Sequence, residues 1–154
     1  MNVISRLQTA IAAALFLAVA CGGSAAAADA QAEANRKVVL DFYEKGLNQK
    51  DFDAAAKHFG PRYIQHNPNA PDGIEGFKAF IAMRKEKFPN AKSEIKRVFA
   101  EGDFVILHVH GMREPGERGV AIIDIFRLEN GKIVEHWDVV QPIPEKPANN
   151  NGMF

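Results

Sequence analysis

The chain has 154 residues, a length that suits one compact domain with a sizeable hydrophobic core. Its 19 Lys and Arg residues balance 19 Asp and Glu residues, so the formal net charge is zero. This balance excludes the basic surface of a nucleic-acid-binding protein and a polyacidic tail, and it favours a small-molecule partner.

Residues 1–30 have the composition of a secretory signal peptide. Arg6 precedes the apolar run "AIAAALFLAVAC", and the small residues "GGSAAAADA" follow it. The run is shorter than a membrane-spanning helix, so no membrane span is predicted and the mature protein is expected to be secreted or periplasmic. Cys21 is the single cysteine, which excludes a disulfide from the mature domain. Cleavage before Cys21, with a lipid anchor attached there, is the alternative.

Three helices are predicted in the first half of the mature chain. Apolar residues recur at helical spacing over residues 32–48, and Asp51 can cap a short second helix in "DFDAAAKHF". The stretch "GPRYIQHNPNAPDG" is rich in Pro, Asn and Gly and is predicted to be a loop. The third helix, "IEGFKAFIAMRKEKF", ends before Pro89. One stripe of this helix contains Phe77, Phe80, Ile81, Arg84 and Phe88.

After Pro89 the apolar period changes from helical to alternating. The strand candidates are "SEIKRVFA", "DFVILHVHGM", "GVAIIDIFRL" and "KIVEHWDVV". Helices followed by strands, without alternation, predict an α+β domain in which the helices pack on one face of a curved antiparallel sheet and enclose a pocket. Residues 31–144 form this domain. Residues 145–154 contain few apolar residues and are predicted to be a disordered tail.

Polar residues occur on the inner faces of the last two strands. Asp124 shares a face with the apolar residues Val120, Ile122, Phe126 and Leu128. A carboxylate at such a position is costly unless it is paired or functional. In the final strand His136 and Asp138 share one face, and Trp137 points to the other.

The turn before the final strand decides whether these groups meet. A two-residue turn at "NG" places Asp124 opposite Trp137, whereas a three-residue turn at "ENG" places it opposite His136. We favour the three-residue turn because it gathers Asp124, His136 and Asp138 in one cluster, with Trp137 and Arg127 on the opposite face.

The segments "YIQHNP", "GDFVILHVHG" and "DIFRLENGKIVEHWDVVQ" resemble the SnoaL-like polyketide cyclase family of the nuclear transport factor 2-like superfamily. The resemblance covers about residues 32–144 and is most specific in "GKIVEHWDVVQ". It implies a cystatin-like fold with a conical pocket, a homodimer formed through the sheet, and chemistry without a cofactor.

The resemblance also implies catalytic roles. Asp138 matches the family's general base, which removes a proton α to a carbonyl before the substrate cyclises or isomerises, as a lyase or an isomerase would require. His136 and His66 would donate to the substrate oxygen or hold Asp138 ionised. Asp124 would orient His136 or act as a neutral donor. The candidate substrate-binding residues are Tyr63, Asn67, His110 and Phe126.

Three alternatives remain open. The first is a secreted binding protein that captures a small apolar carbonyl compound without chemistry. The second is a hydrolase with an Asp-Arg-Asp set, which the outward direction predicted for Arg127 disfavours. The third is a metal site, built from His66, His108 or His110, Asp124 and His136. Since no short ligand motif such as "HExxH" occurs, no metal is predicted.

Overall fold

The computed structural model describes residues 25–154. Residues 1–24, which include Cys21 and most of the predicted signal peptide, lie outside the described residues. Within residues 25–154, no helix has the length and apolar character needed to cross a membrane.

Three helices cover one side of the molecule. Helix α1 occupies residues 25–43 and continues as a π-helical turn at Glu44–Asn48. Helix α2 covers Phe52–Ala56, and its predicted cap is present because the Asp51 side chain accepts a hydrogen bond from the Ala54 amide. Helix α3 covers Gly73–Lys87.

Five strands form one sheet. They are β1 (Phe59–Gln65), β2 (Lys92–Glu101), β3 (Phe104–Met112), β4 (Val120–Glu129) and β5 (Lys132–Pro142). The spatial order is β1-β5-β4-β3-β2, with β1 parallel to β5 and all other neighbours antiparallel. The predicted α+β class is confirmed.

Strand β1 corrects the prediction that "GPRYIQHNPNAPDG" is entirely a loop. Its backbone bonds to β5 at both ends, where the Ile133 amide donates to His58 and the His66 amide donates to His136. Because β1 is an edge strand, a proline at Pro61 is compatible with the pairing.

An aromatic core joins the helices to the sheet. The ring centroid of Phe42 on α1 lies 5.2 Å from Phe59, 5.2 Å from Phe77 and 5.7 Å from Phe126. Such contacts contribute about 0.5–1.5 kcal/mol per pair beyond the area they bury. They hold α1 and α3 over β1 and β4, and the space left beside them forms a cavity.

The hairpin between β4 and β5 has a two-residue turn, so the predicted three-residue turn is wrong. Asn130 and Gly131 have φ angles of 52° and 71°, and Glu129 pairs with Lys132. Positive φ at both central residues is the type I′ geometry that Asn-Gly favours, because both residues tolerate the left-handed region.

A β-bulge at Val134 nevertheless restores the predicted cluster. Leu128 pairs with Ile133, but Arg127 pairs with Glu135, so Val134 is the extra residue of β5. The shift of one position turns His136 and Asp138 inward and puts Asp124 directly opposite Asp138. Trp137 and Arg127 lie on the outer face.

The C-terminal segment returns to the outer face of the sheet. Residues 143–154 contain no helix or strand. The ring of Phe154 packs against His108 on β3 at 5.2 Å and against His110 at 4.7 Å between centroids.

Candidate functional site

A cavity of about 650 Å³ lies between the helices and the inner face of the sheet. Its size suits a small organic molecule. The apolar part of its wall includes Phe42, Leu47, Phe77, Phe80, Ile122 and Phe126. Its polar side chains include Tyr43, Tyr63, Gln65, Asn67, Arg84, Ser93, Asp124, His136 and Asp138. Polar side chains at defined positions in a partly apolar wall can fix the orientation of a bound ligand.

Both oxygens of the buried Asp124 carboxyl group are hydrogen-bonded. Oδ1 lies 3.0 Å from Nε2 of His136, and Oδ2 accepts a hydrogen bond of 2.9 Å from the Tyr43 hydroxyl. These partners come from β5 and α1, so Asp124 connects the sheet to the first helix. The cost of burying this side chain is offset by charge-assisted bonds.

Gln65 orients the imidazole of His136. Oε1 of Gln65 accepts from the Asn67 amide at 2.9 Å, and its Nε2 donates to the Tyr63 hydroxyl at 3.0 Å, which fixes the direction of the amide. The same Oε1 lies 3.0 Å from Nδ1 of His136. Because Oε1 of Gln65 can only accept, Nδ1 carries the proton of this hydrogen bond, and Nε2 faces Oδ1 of Asp124.

Asp138 is the less constrained of the two carboxylates. Its Oδ2 accepts a hydrogen bond of 2.8 Å from Nδ2 of Asn67. Within residues 25–154 no donor is bonded to Oδ1, and the side chain is half-buried in the cavity wall. The polar atoms of Asp124, His136 and Asp138 lie within 4.8 Å of one another. The cluster thus contains one tethered carboxylate and one with an oxygen available to a ligand.

Two buried tyrosines supply neutral donors. Burial raises the pKa of Tyr43 well above its usual value, and the negative charge of Asp124 raises it further. The pKa of Tyr63 is raised by burial and then by Asp124 and Asp138. Both phenols remain protonated at neutral pH. Because the Tyr63 oxygen accepts from Gln65, its own O–H is available to a bound molecule.

Six candidate residues line the cavity as the sequence analysis expected, among them Asp124 and His136 described above. Tyr63 and Asn67 reach it from β1 and the following loop. Phe126 on β4 reaches it and packs 4.7 Å from the His136 ring, between centroids. Asp138 completes this group on β5.

His66 does not join the cluster, contrary to expectation. It follows the end of β1, so alternation turns it to the face opposite Gln65. Its ring stacks on Trp137 at 4.6 Å, and its Nε2 lies 2.8 Å from Glu135. Hydrogen bonds from His66 and Arg127 lower the pKa of Glu135. His66 therefore belongs to an ion network on the outer face.

His110 is likewise outside the cavity. Val109 and Gly111 on either side of it are buried, so His110 projects from the outer face of β3. Its Nε2 lies 2.7 Å from the carbonyl oxygen of Arg118. His110, predicted to bind substrate, is therefore not among the residues that line the cavity.

The suggested metal set does not converge either. His66, His108 and His110 lie on the outer face, whereas Asp124 and His136 point inward. The inward trio of Asp124, His136 and Asp138 offers donors of the right type. In this trio, however, both nitrogens of His136 and both oxygens of Asp124 are bonded to protein groups, so a metal would have to break those bonds.

Three cavity residues were missed by the sequence analysis. Tyr43 lay in a helical apolar stripe and was assigned to the core, and Gln65 lay in a segment predicted to be loop. Arg84 was placed on the apolar stripe of α3 without a role. A charged residue on such a stripe was the signal that could have identified it.

One family model matches most of the chain. The model of the SnoaL-like polyketide cyclase family matches residues 37–144. No curated protein matches the chain.

Solved structures share the fold. TsrD from Streptomyces laurentii is 24% identical, with a TM-score of 0.58, and the match covers 70% of this chain and 88% of that one. An NTF2-like protein of unknown function from Cytophaga hutchinsonii is 25% identical, with a TM-score of 0.58 and coverage of 70% and 90%. An NTF2-like protein of unknown function from Burkholderia xenovorans is 20% identical, with a TM-score of 0.61 and coverage of 77% and 91%.

These structures have the same helix-and-sheet architecture, and the family match spans most of the described residues. The chain belongs to the SnoaL-like polyketide cyclase family.

Proposed function

We propose that this protein is an enzyme that removes a proton from the carbon α to a carbonyl group, with Asp138 as the general base. The observation that carries the proposal is the Asp138 carboxylate, which has one oxygen held by Asn67 and the other open to an apolar cavity. A base needs this combination of fixed orientation and a free lone pair. Membership of a cyclase family supports the same class of reaction.

In the proposed reaction the substrate C–H bond breaks and its proton passes to Oδ1 of Asp138. The electron pair moves onto the carbonyl oxygen, giving an enolate. The free O–H of Tyr63 donates a hydrogen bond to this oxygen, and its raised pKa keeps it a neutral donor. The enolate carbon then attacks a second carbonyl, which closes a ring, and the alkoxide formed takes the proton back from Asp138. In an isomerisation, Asp138 instead returns the proton to a different carbon of a conjugated enolate.

His136 and Asp124 act as positioning residues in this scheme. Both nitrogens of His136 already bond to protein groups, so the ring holds Gln65 and Asp124 in place. Gln65 in turn bonds to the hydroxyl of Tyr63 and the amide of Asn67, the two residues that contact the oxyanion and the base.

Exchange of α protons for deuterium tests the assignment of the base. The protein is incubated in deuterated buffer with a panel of ketones, and exchange is followed by proton NMR. Asp138→Asn keeps the shape of the side chain and should slow exchange by about 100-fold or more. Glu135→Gln, on the outer face, is the matched control and should exchange at the wild-type rate. Asp138→Asn with unchanged exchange would refute the assignment.

The same experiment separates catalysis from simple capture. If the wild-type protein retains a small molecule in native mass spectrometry but exchanges no α proton in any ketone, the pocket is a binding site without chemistry. Loss of exchange in Asp138→Asn with retained ligand binding supports the enzyme.

We also propose that the protein is exported. The signal-like composition of residues 1–30 supports this. Mass spectrometry of the mature N-terminus, after expression with the full sequence, should find cleavage after Ala28 or Ala30. A diacylglycerol-modified Cys21 would instead show a lipid-anchored form, and an intact Met1 would contradict export.

A homodimer formed through the outer face of the sheet is the third part of the proposal. Exposed apolar side chains on that face support it, including Phe99, Phe104, Ile123 and Val139. Single substitutions by lysine on this face test whether the dimer forms there.

A further inference from the structure

Arg84 is a charged residue on the inner side of α3. It lies one turn after Phe80 and two turns after Phe77, and all three side chains line the cavity. Its guanidinium carbon lies 5.6 Å from the centroid of the Phe80 ring. This stacking fixes the plane of the guanidinium group and leaves its N–H edge available.

The guanidinium has no carboxylate partner in the described chain. Among residues 25–154, none of the ion pairs includes Arg84, and its buried Nε has no hydrogen-bond partner. Two other charged groups of the cavity wall differ in this respect. Arg118 pairs with Glu145 at 3.0 Å, and Asp124 bonds to His136 and Tyr43.

A second arginine lies near the same end of the cavity. Arg113 also lines it, and its guanidinium carbon stacks 5.0 Å from the ring centroid of Phe88. Burial lowers the pKa of the Arg84 guanidinium, and the positive charge of Arg113 lowers it further. An arginine nevertheless stays protonated in a protein. Within the described residues the cavity wall thus holds two arginines that form no ion pair, together with Glu117 and the carboxylate cluster around Asp138.

Arg84 is half-buried and its Nε is fully buried without a partner, which is unfavourable for a charged group, so its presence in a cavity wall favours an anion in the ligand. We propose that Arg84 binds a carboxylate group of the substrate, which makes the substrate a keto acid. This inference rests on the proposed function and narrows its substrate class. It narrows the small apolar carbonyl compound of the sequence analysis to one that also carries a carboxylate.

The guanidinium suits a carboxylate because its parallel N–H groups can form two charge-assisted bonds at once. In this arrangement Arg84 holds the acid end of the molecule. The keto group and its α carbon then extend toward Asp138 on β5 and Tyr63 on β1, which line the same cavity. A neutral ester would fill the same space but leave Arg84 unpaired.

A matched pair of probes tests the proposal. β-Benzoylpropionate carries a ketone and a carboxylate, and its methyl ester keeps the same skeleton but has the charge removed by one added methyl group. Isothermal titration calorimetry should show that the wild-type protein binds the acid at least about tenfold more tightly than the ester, as expected for charge-assisted bonds. Arg84→Gln should lose this preference while its affinity for the ester stays within about twofold.

Two further variants serve as controls. Arg84→Lys keeps the charge and should retain part of the preference. Arg118→Gln removes an exposed arginine at the cavity rim and should keep all of it, which excludes a general effect of net charge. Far-UV circular dichroism confirms the fold of each variant. A wild-type protein without a preference for the acid, or an Arg84→Gln variant that keeps it, would overturn the proposal.

The role of Asp138 as the base and the role of Arg84 as the carboxylate site can be tested independently. Asp138→Asn should still prefer the acid over the ester, because Arg84 is intact. Arg84→Gln should still exchange the α protons of the methyl ester, because Asp138 is intact. If the wild-type protein exchanges the α protons of the ester but shows no preference for the acid, the role of Arg84 is refuted and the role of Asp138 is not.

Discussion

Asp124 and Asp138 lie directly opposite each other on β4 and β5, yet their environments differ. Asp124 bonds through both oxygens, to His136 and to Tyr43, whereas Asp138 bonds through one oxygen to Asn67. The two carboxylates therefore have different tasks. Asp124 holds the cavity wall together, and Asp138 is available to a ligand.

The structural task of Asp124 predicts different results for two substitutions. Asp124→Asn can still accept from Tyr43 and donate to a neutral His136, so unfolding free energy should fall by only about 1 kcal/mol. Asp124→Ala leaves the Tyr43 hydroxyl and Nε2 of His136 without a partner and should cost about 3 kcal/mol. Urea denaturation measures both. Equal losses in the two variants would show that the hydrogen bonds of Asp124 contribute little.

The raised pKa of Tyr43 predicts a loss of stability at alkaline pH. The folded protein holds the phenol proton more tightly than the unfolded chain. The protonated phenol therefore makes its full contribution to the free energy of unfolding below the unfolded-state pKa of about 10. This contribution is lost as the pH rises above that value toward the folded-state pKa. Tyr63 acts in the same direction.

Tyr43→Phe is the variant that isolates this contribution. At neutral pH it should be less stable by about 1–2 kcal/mol, because Oδ2 of Asp124 loses its donor. Above pH 10 or so, its stability should decline less steeply with pH than that of the wild-type protein. Urea midpoints measured across the alkaline range at constant ionic strength provide the comparison. Parallel curves for the two proteins would contradict the prediction.

The elements with clear periodicity could be predicted from the sequence. Helix α3 and strands β2 to β5 follow their apolar patterns, and the inward direction of Asp124 followed from simple alternation. Strand β1 could not be found in this way. It is held by backbone bonds to β5 at the sheet edge, and Pro61 and the polar residues after it conceal the strand pattern.

The register of β5 could not be predicted from the local sequence either, for a different reason. "NG" correctly indicates a type I′ turn, and alternation from that turn alone would send His136 and Asp138 outward. The bulge at Val134 reconciles the turn with an inward cluster. The segment "KIVEHW" contains no glycine or other local signal for a bulge. Its position follows from burying both Ile133 and Val134 while the polar groups meet, which is a tertiary requirement.

The unpaired charge of Arg84 predicts that a substitution in the cavity will raise stability. Arg84→Met keeps most of the side-chain volume and removes a charge that has no carboxylate partner within the described residues. Replacing this half-buried, unpaired charge by an apolar group should therefore stabilise the free protein by about 1 kcal/mol. Thermal unfolding measures the change, and Arg118→Met, at an exposed ion pair, should show almost none. A lower melting temperature for Arg84→Met would mean that Arg84 stabilises the fold.

The outer face of the sheet predicts self-association. Ile123 and Val139 face each other across β4 and β5 and are 39% and 69% exposed. Apolar side chains that are contiguous and exposed on a sheet indicate a protein interface. Either Ile123→Lys or Val139→Lys should therefore convert a dimer into a monomer, because a lysine charge would be buried without a partner.

Val140 supplies the matched control for this experiment. It is the same residue type, lies next to Val139 and is 47% exposed, but it points to the cavity side of the sheet. Val140→Lys should remain a dimer in sedimentation velocity experiments at physiological salt, whereas Val139→Lys should sediment as a monomer. A monomeric wild-type protein would exclude the interface. If Val139→Lys is still a dimer, the interface must lie on another surface, because a lysine charge at the centre of this face would prevent association.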